Sequence, residues 1–141
     1  MTATAHSGAA ALPVRQGEKR WTEAEVAEIR DQLAAEAAAL RAEIDRAEVD
    51  IAIRLGDAVG DAGEDQADVG AKTFEREHEL ALTHNARELL AQTERAIARI
   101  ESGTYGVCEA TQKPIGKKRL RATPWAKYSI EYERERERKH L

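Results

Sequence analysis

The stretch TEAEVAEIRDQLAAEAAALRAEIDRAEVDIAIRL, running from Thr22 to Leu55, decides the fold. Within it Val26, Ile29, Leu33, Ala37, Leu40, Ile44, Ala47, Ile51 and Leu55 recur in steps of three and four. The mean step is about 3.6 residues, the period of an α-helix. No proline interrupts the run, and Thr22-x-x-Glu25 at its start has the form of a capping box. The spacing predicts one helix over 22–56, a rod of roughly 50 Å at 1.5 Å rise per residue.

Moving outward toward the C-terminus, the period breaks at Gly56, Gly60, Gly63 and Gly70, and the same stretch carries Asp57, Asp61, Glu64, Asp65 and Asp68 with no basic residue among them. A second helix follows to about Ser102, with Phe74, His78, Leu82, Ala86, Leu89, Thr93, Ile97 and Ile100 along its seam and Gly103 placed to stop it. Two long helices with narrow apolar stripes and one connecting loop predict a mainly α fold. Its centre is an antiparallel coiled-coil hairpin over 21–102 that carries an acidic tip at 56–70. One chain satisfies its own seam, so a monomer is expected; His78 and Thr93 on that seam leave dimerisation open.

Composition agrees with a stalk more than with a globule. Hydrophobic residues make up 42% of the 141 residues, yet 27 of them are Ala, and there are only one Phe, two Trp and three Tyr. Alanine favours helix but buries little area, so the core is thin. Charged residues reach 34% in mixed sign, for a net charge of −4. This excludes a membrane protein, a disulfide scaffold and a β-rich domain. It also argues against a general DNA binder, which needs excess Lys and Arg to displace counterions. The lone Cys108 forms no internal disulfide, residues 1–14 lack the basic and apolar regions of a signal peptide, and no apolar run spans a bilayer, so a soluble cytoplasmic protein is expected. Gly8, Pro13 and Gly17 make residues 1–20 read as a flexible tail.

Beyond Gly103 the character changes to a compact, turn-rich module over 103–141, helical again from Trp125 and closed by a charge-balanced EYERERERK end. Cys108-x2-Thr111, 17 residues, then Ser129-x2-Tyr132 has the spacing of a four-cysteine zinc ribbon. Only one of the four positions is Cys, and the Thr, Ser and Tyr hydroxyls are poor zinc donors. The module therefore reads as a zinc-finger shape without its zinc or any other cofactor. Tyr105, Ile115, Trp125, Tyr128 and Tyr132 replace the metal by packing, and Cys108 reads as a buried thiol in preference to a reactive one. The basic run Lys113, Lys117, Lys118, Arg119 and Arg121 is either a solvated face or a contact for an acidic surface or phosphates.

Asp65-Gln66-Ala67-Asp68 on the tip, Gly103-Thr104-Tyr105-Gly106-Val107-Cys108-Glu109, and Pro114-Ile115-Gly116-Lys117-Lys118-Arg119-Leu120, together with the hairpin, make residues 22–135 resemble the DksA/TraR family of RNA polymerase-binding regulators. The resemblance implies a factor that docks at the rim of the polymerase secondary channel and sends its hairpin inside. The tip would approach the catalytic magnesium region, with no sequence-specific nucleic-acid contact and no membrane. The family tip reads Asp-x-x-Asp-x-Ala; Asp65 and Asp68 match its acids, while Gly70 stands at its Ala. Short carboxylates on a rigid stalk suit delivery of negative charge to a metal-containing site or a basic loop; a solvated turn capping the second helix is the plainer alternative. Gln92, Thr123 and Glu133 stand where ppGpp-responsive members carry bases, which argues against synergy with ppGpp at that shared site. Asn85 stands at a basic rim-contacting position, with Arg87 nearby. No nucleophile–base pair, phosphate loop or metal-ligand cluster suggests an enzyme. The rival reading is an adaptor coiled coil that has lost polymerase regulation along with its cysteines.

Overall fold

The structure, a computed structural model, describes residues 8–59 and 66–140, with the side chains of 57–59 and 66–68 outside the described set. Its main elements are two long helices, α1 (Glu23–Val59) and α2 (Gln66–Ser102), which pack as a hairpin. They are followed by the short α3 (Lys117–Ala122) and by α4 (Ile130–Lys139). A single 3-10 turn at Ala9–Ala11 precedes them. No strand occurs among the described residues; Val107 and Pro114 form an isolated antiparallel bridge.

Both ends of the hairpin that face the module are closed as the sequence predicts. At the start of α1 the N–H of Thr22 donates to Glu25 Oε1 (2.9 Å) and the N–H of Glu25 donates to Thr22 Oγ1 (3.1 Å), so two otherwise orphaned donors are satisfied reciprocally. At the end of α2, Gly103 adopts φ 78°. Its N–H reaches the Ile100 carbonyl, and the N–H of Thr104 reaches the Arg99 carbonyl at 2.9 Å, the paired bonds of a Schellman stop.

The helices run longer at the other end than expected. Gly56 is helical within α1 and Gly70 is helical within α2, so both helices extend into the stretch 56–70 expected to connect them, of which 60–65 lie outside the described residues. An isolated glycine costs a helix about 1 kcal/mol relative to Ala, which flanking turns absorb. The seam of α2 also corrects the reading. Ala86, Thr93, Ile97 and Ile100 face inward as expected, but Phe74, His78 and Leu82 are exposed. The inward row runs through Arg76, Glu79, Thr83, Ala86, Leu90, Thr93, Ile97 and Ile100 in alternating steps of three and four, flanked by the buried Ala96 and by half-buried Leu89, Gln92 and Arg99, of which Leu89 was also expected on the seam. Three consecutive steps of four, from 86 back to 74, rotate about 120° off such a seam, because each overshoots a turn by about 40°. On α1 the predicted seam is inward through Ile51, and Leu55 is exposed.

The chain packs as two units. One joins the residues up to Ala37 with those from Gln92 onward; the other is Ala38–Ala91. The division thus falls inside the helices and not at Gly103. The first unit holds the larger core: Leu12, Trp21, Ile29, Leu33, Ala96, Tyr105, Cys108, Ile115 and Leu120, with Trp125, Tyr128 and Tyr132 packed against it. The aromatics expected to replace zinc are there, and Trp21 joins them edge-on to Tyr105 at 6.3 Å between ring centroids. The second unit has a small core of Leu40, Ile44 and Ala86 backed by Leu89 and Leu90.

Residues 8–20 are not a free tail. Leu12 and Trp21 are 4% and 2% exposed, the indole N–H donates to the Pro13 carbonyl (3.3 Å), and Arg15 pairs with Glu131 (2.7 Å). Glycine and proline here shape a segment that wraps onto the core. Gly116 (φ 104°) lets the Arg15 stem lie against its backbone, since a Cβ there would come within 2.6 Å of Arg15 Cδ.

Candidate functional site

Two places carry the sequence expectations. At the tip, Asp65 lies outside the described residues. Asp68 falls on the first turn of α2, with its side chain outside the described set. Gly70 follows on the same helix, exposed, and an added Cβ there would meet nothing within 4 Å. A methyl at this position would find no partner among the described residues.

In the module, the turn after the Val107–Pro114 bridge is closed by the Cys108 N–H donating to the Lys113 carbonyl (2.8 Å) and the Gln112 N–H donating to the Cys108 carbonyl (2.8 Å). Gln112 takes a positive φ of 63° to complete it. Facing this turn, Ser129 caps α4 by accepting from the Tyr132 N–H at 3.2 Å. Cys108 is fully buried between them. Burial pushes its thiol up, but the Thr111 hydroxyl and the backbone N–H groups of Ser129, Thr111 and Ala110 outweigh this and bring it down to about 7. The fold therefore brings Cys108, Thr111 and Ser129 together as the spacing predicts, while the Tyr132 ring turns to pack on the core and against Tyr128, 4.9 Å between centroids. Among the described residues, no three His, Cys, Asp or Glu side chains group as metal ligands.

The basic run is divided in its use. Lys117 is buried: its Nζ lies 2.9 Å from Glu25 Oε1 and 3.1 Å from the Arg20 carbonyl, and 5.0 Å from the Trp21 ring centroid. Arg121 also reaches Glu25 (2.6 Å), and Arg119 pairs with Glu133 (2.9 Å) while donating to the Tyr128 carbonyl. Lys113 and Lys118 are exposed. Three of the five cations thus fasten the module to the start of α1 and to α4, a role that sequence spacing did not reveal because the partners lie 14 to 96 residues away. Of the positions weighed for ppGpp, Gln92 and Thr123 are half-buried, and Glu133 is held by Arg119. Arg87 pairs with Glu48, and Asn85 is exposed. No helix among the described residues is long and apolar enough to cross a membrane.

Comparison with known proteins supplies the context. The family model of the prokaryotic DksA/TraR C4-type zinc finger matches residues 103–138. The chain is 39% identical over 75 residues to the RNA polymerase-binding transcription factor DksA of Caulobacter vibrioides, covering 53% of each protein. It is 38% identical over 65 residues to General stress protein 16O of Bacillus subtilis, covering 46% of this chain and 40% of that one. It spans about half the length of the curated relatives it matches. The solved structure of transcription factor DksA2 from Pseudomonas aeruginosa matches with a TM-score of 0.68 at 28% identity, over 84% of this chain and 87% of that one.

A C4-type finger binds zinc through four thiolates, and the residues present do not fit that ion. There is one sulfur, the Ser129 oxygen is engaged as a helix cap, and the donors around Cys108 already satisfy it. The matched finger, the hairpin and the relatives found by sequence and by structure agree: this chain is similar to DksA/TraR proteins, with one cysteine in the region that matches their finger.

Proposed function

We propose that this protein is a transcription regulator that binds RNA polymerase and inserts its hairpin tip into the secondary channel, where Asp65 and Asp68 act on the active-site region to modulate initiation. The observation that carries this reading is the likeness to DksA2 over most of both chains, hairpin included, joined to 39% identity with a DksA described as RNA polymerase-binding. The tip chemistry is consistent with it. Residues 57–68 hold five acids and no base, so whatever they meet is attracted through positive charge or a metal ion.

On this reading the protein has no catalysis of its own and makes no sequence-specific nucleic-acid contact. Its finger holds its shape without zinc, because the core around Tyr105, Cys108, Ile115 and Leu120 does the work of the metal. It also acts without ppGpp at the shared family site. Glu133 adds negative charge there, and Arg119, the nearest cation to it, is already committed.

The test is a pair of measurements on purified protein: binding to core polymerase, and lifetime of promoter complexes. Wild type should bind and change the lifetime. D65N/D68N should bind equally and leave the lifetime at its unassisted value. Equal regulatory activity of the two proteins would remove the tip from the mechanism. Absence of binding by wild type would favour the adaptor reading.

A further inference from the structure

The net charge of −4 conceals a division along the chain. Residues 1–20 and 103–141 together hold thirteen basic and six acidic residues, a net +7, whereas 21–102 holds nine and twenty, a net −11. The acids of the basic part are mostly committed. Glu109 pairs with Arg95, Glu131 with Arg15, Glu133 with Arg119 and Glu135 with Lys139. Glu18 accepts the backbone N–H groups of Arg15 and Lys117. Eight of the thirteen cations, by contrast, have no carboxylate within 4.0 Å among the described residues.

Two groups of these free cations adjoin α3. Lys117 reaches the Arg20 carbonyl with its Nζ (3.1 Å) and Glu18 with its N–H, which lays residues 18–20 against the start of the helix. The exposed Lys19, Arg20 and Lys118 thereby share one neighbourhood. Farther along, Arg119 Nε donates to the Tyr128 carbonyl (3.0 Å), which ties α3 to the Tyr128–Tyr132 pair. Lys127 Nζ lies 5.2 Å from the Tyr128 ring centroid, and the Arg136 guanidinium lies 5.4 Å and 5.9 Å from the centroids of Tyr128 and Tyr132. A ring face attracts a cation without carrying a counter-charge, so these two cations are held in place while their charge stays available to an outside anion.

The same surface lacks an apolar centre. All seven exposed large hydrophobic side chains among the described residues lie between Val49 and Leu82, on α1 and α2; residues 8–20 and 103–140 expose none. A stable protein interface buries an apolar centre from which lysine is depleted. A nucleic-acid backbone asks for the reverse, a polar surface with dispersed positive charge that displaces its condensed counterions.

We infer that the module, with the segment before α1, is a contact surface for the phosphate backbone of a nucleic acid, made by Lys19, Arg20 and Lys118 in one group and Lys127 and Arg136 in the other. Phosphate contacts position a chain without reading base edges, so this contact carries no sequence preference. The whole-chain charge argued against a general DNA binder; the hairpin's acids supply that excess, and they exclude the hairpin from the contact.

The test uses the full chain alone, with no polymerase present. Fluorescence anisotropy measures its binding to a labelled DNA duplex of about 30 base pairs and to a single-stranded RNA, from about 50 to 200 mM salt. K19Q/R20Q/K118Q and K127Q/R136Q are compared with wild type and with R30Q/R46Q, which removes two cations from α1. Circular dichroism and melting midpoints should stay near wild type, because exposed cations and surface ion pairs contribute little to stability. Each module variant should bind about tenfold weaker or more at about 100 mM salt, and should flatten the log–log salt slope by about one per cation removed. R30Q/R46Q should bind like wild type. Either probe behaving in this way supports the inference, and the more tightly bound one names the strand form. Wild type that binds neither probe at low salt overturns it, as do module variants that bind equally well. An equal loss in R30Q/R46Q overturns it too, by reducing the effect to net charge. Wild-type self-association in sedimentation at low salt, lost in the module variants, would give these cations to the acidic hairpin of a second copy instead. None of these outcomes bears on the polymerase reading.

Discussion

The ammonium of Lys117, at the start of α3, lies 2.9 Å from the carboxylate of Glu25, in the first turn of α1, and is almost fully shielded from water. Glu25 closes the capping box of α1, takes a second cation from Arg121, and through Lys117 fixes the module to the helix. Glu18 completes the joint by accepting the Lys117 backbone N–H at 2.9 Å. One carboxylate thus starts a helix and anchors a domain.

Removing Glu25's charge leaves the Lys117 ammonium buried without its counterion. E25Q should lower unfolding free energy by about 1–3 kcal/mol, the range for hydrogen bonds to a charged group. K117M, which removes both the charge and the need to solvate it, should cost less than E25Q. Urea denaturation of the two variants, and of the double variant in a cycle, checks the order; a double-variant cost equal to the sum of the single costs would mean the pair is not coupled.

The same pair makes stability depend on acid. The hydrogen bond from Lys117 first, and that from the Thr22 N–H second, hold the Glu25 carboxyl down from 4.5 to about 2. A depressed carboxyl contributes stability that is complete above its unfolded value and is lost as pH falls through the folded one. The contribution should therefore fade between about pH 4.5 and pH 2. The arginine of the Arg15–Glu131 pair lowers its carboxyl in the same direction. Melting midpoints across this window should fall in wild type and fall less steeply in E25Q.

The segment before α1 should behave as core. L12A should destabilise by about 2–4 kcal/mol, the range for deleting a buried leucine side chain, and W21A by more. Removal of residues 1–20 should lower the melting midpoint of the module, which circular dichroism and limited proteolysis would report. Unchanged stability in both L12A and the truncation would restore the free tail.

The finger should not need metal. A chelator should leave the far-ultraviolet signal and melting midpoint unchanged, and elemental analysis of the purified protein should find no stoichiometric zinc. A structural zinc site contributes on the order of 10 kcal/mol to a small module, so its loss would be unmistakable. Stoichiometric zinc would contradict the packing account of Cys108.

Sequence alone determined what depends on local chemistry and period. Thr22 and Glu25 announce the first cap, Gly103 the last, and steps of three and four from Val26 to Ile51 fix the buried face of α1. The spacing around Cys108 brings Thr111 and Ser129 to the sulfur, and the shortage of cysteine is visible without coordinates. Only tertiary structure decided the phase of α2 near its start, because a ladder of Phe74, His78 and Leu82 satisfies helical spacing while drifting off the seam. It also decided that residues 8–20 fold. Nothing local tells a glycine and proline in a wrapped segment from those in a free one; the difference is the distant surface of Trp21, Tyr105 and Ile115 that Leu12 joins. The role of Lys117 was hidden for the same reason. A run of cations looks like a solvated face until a carboxylate 92 residues earlier in the chain is brought beside it.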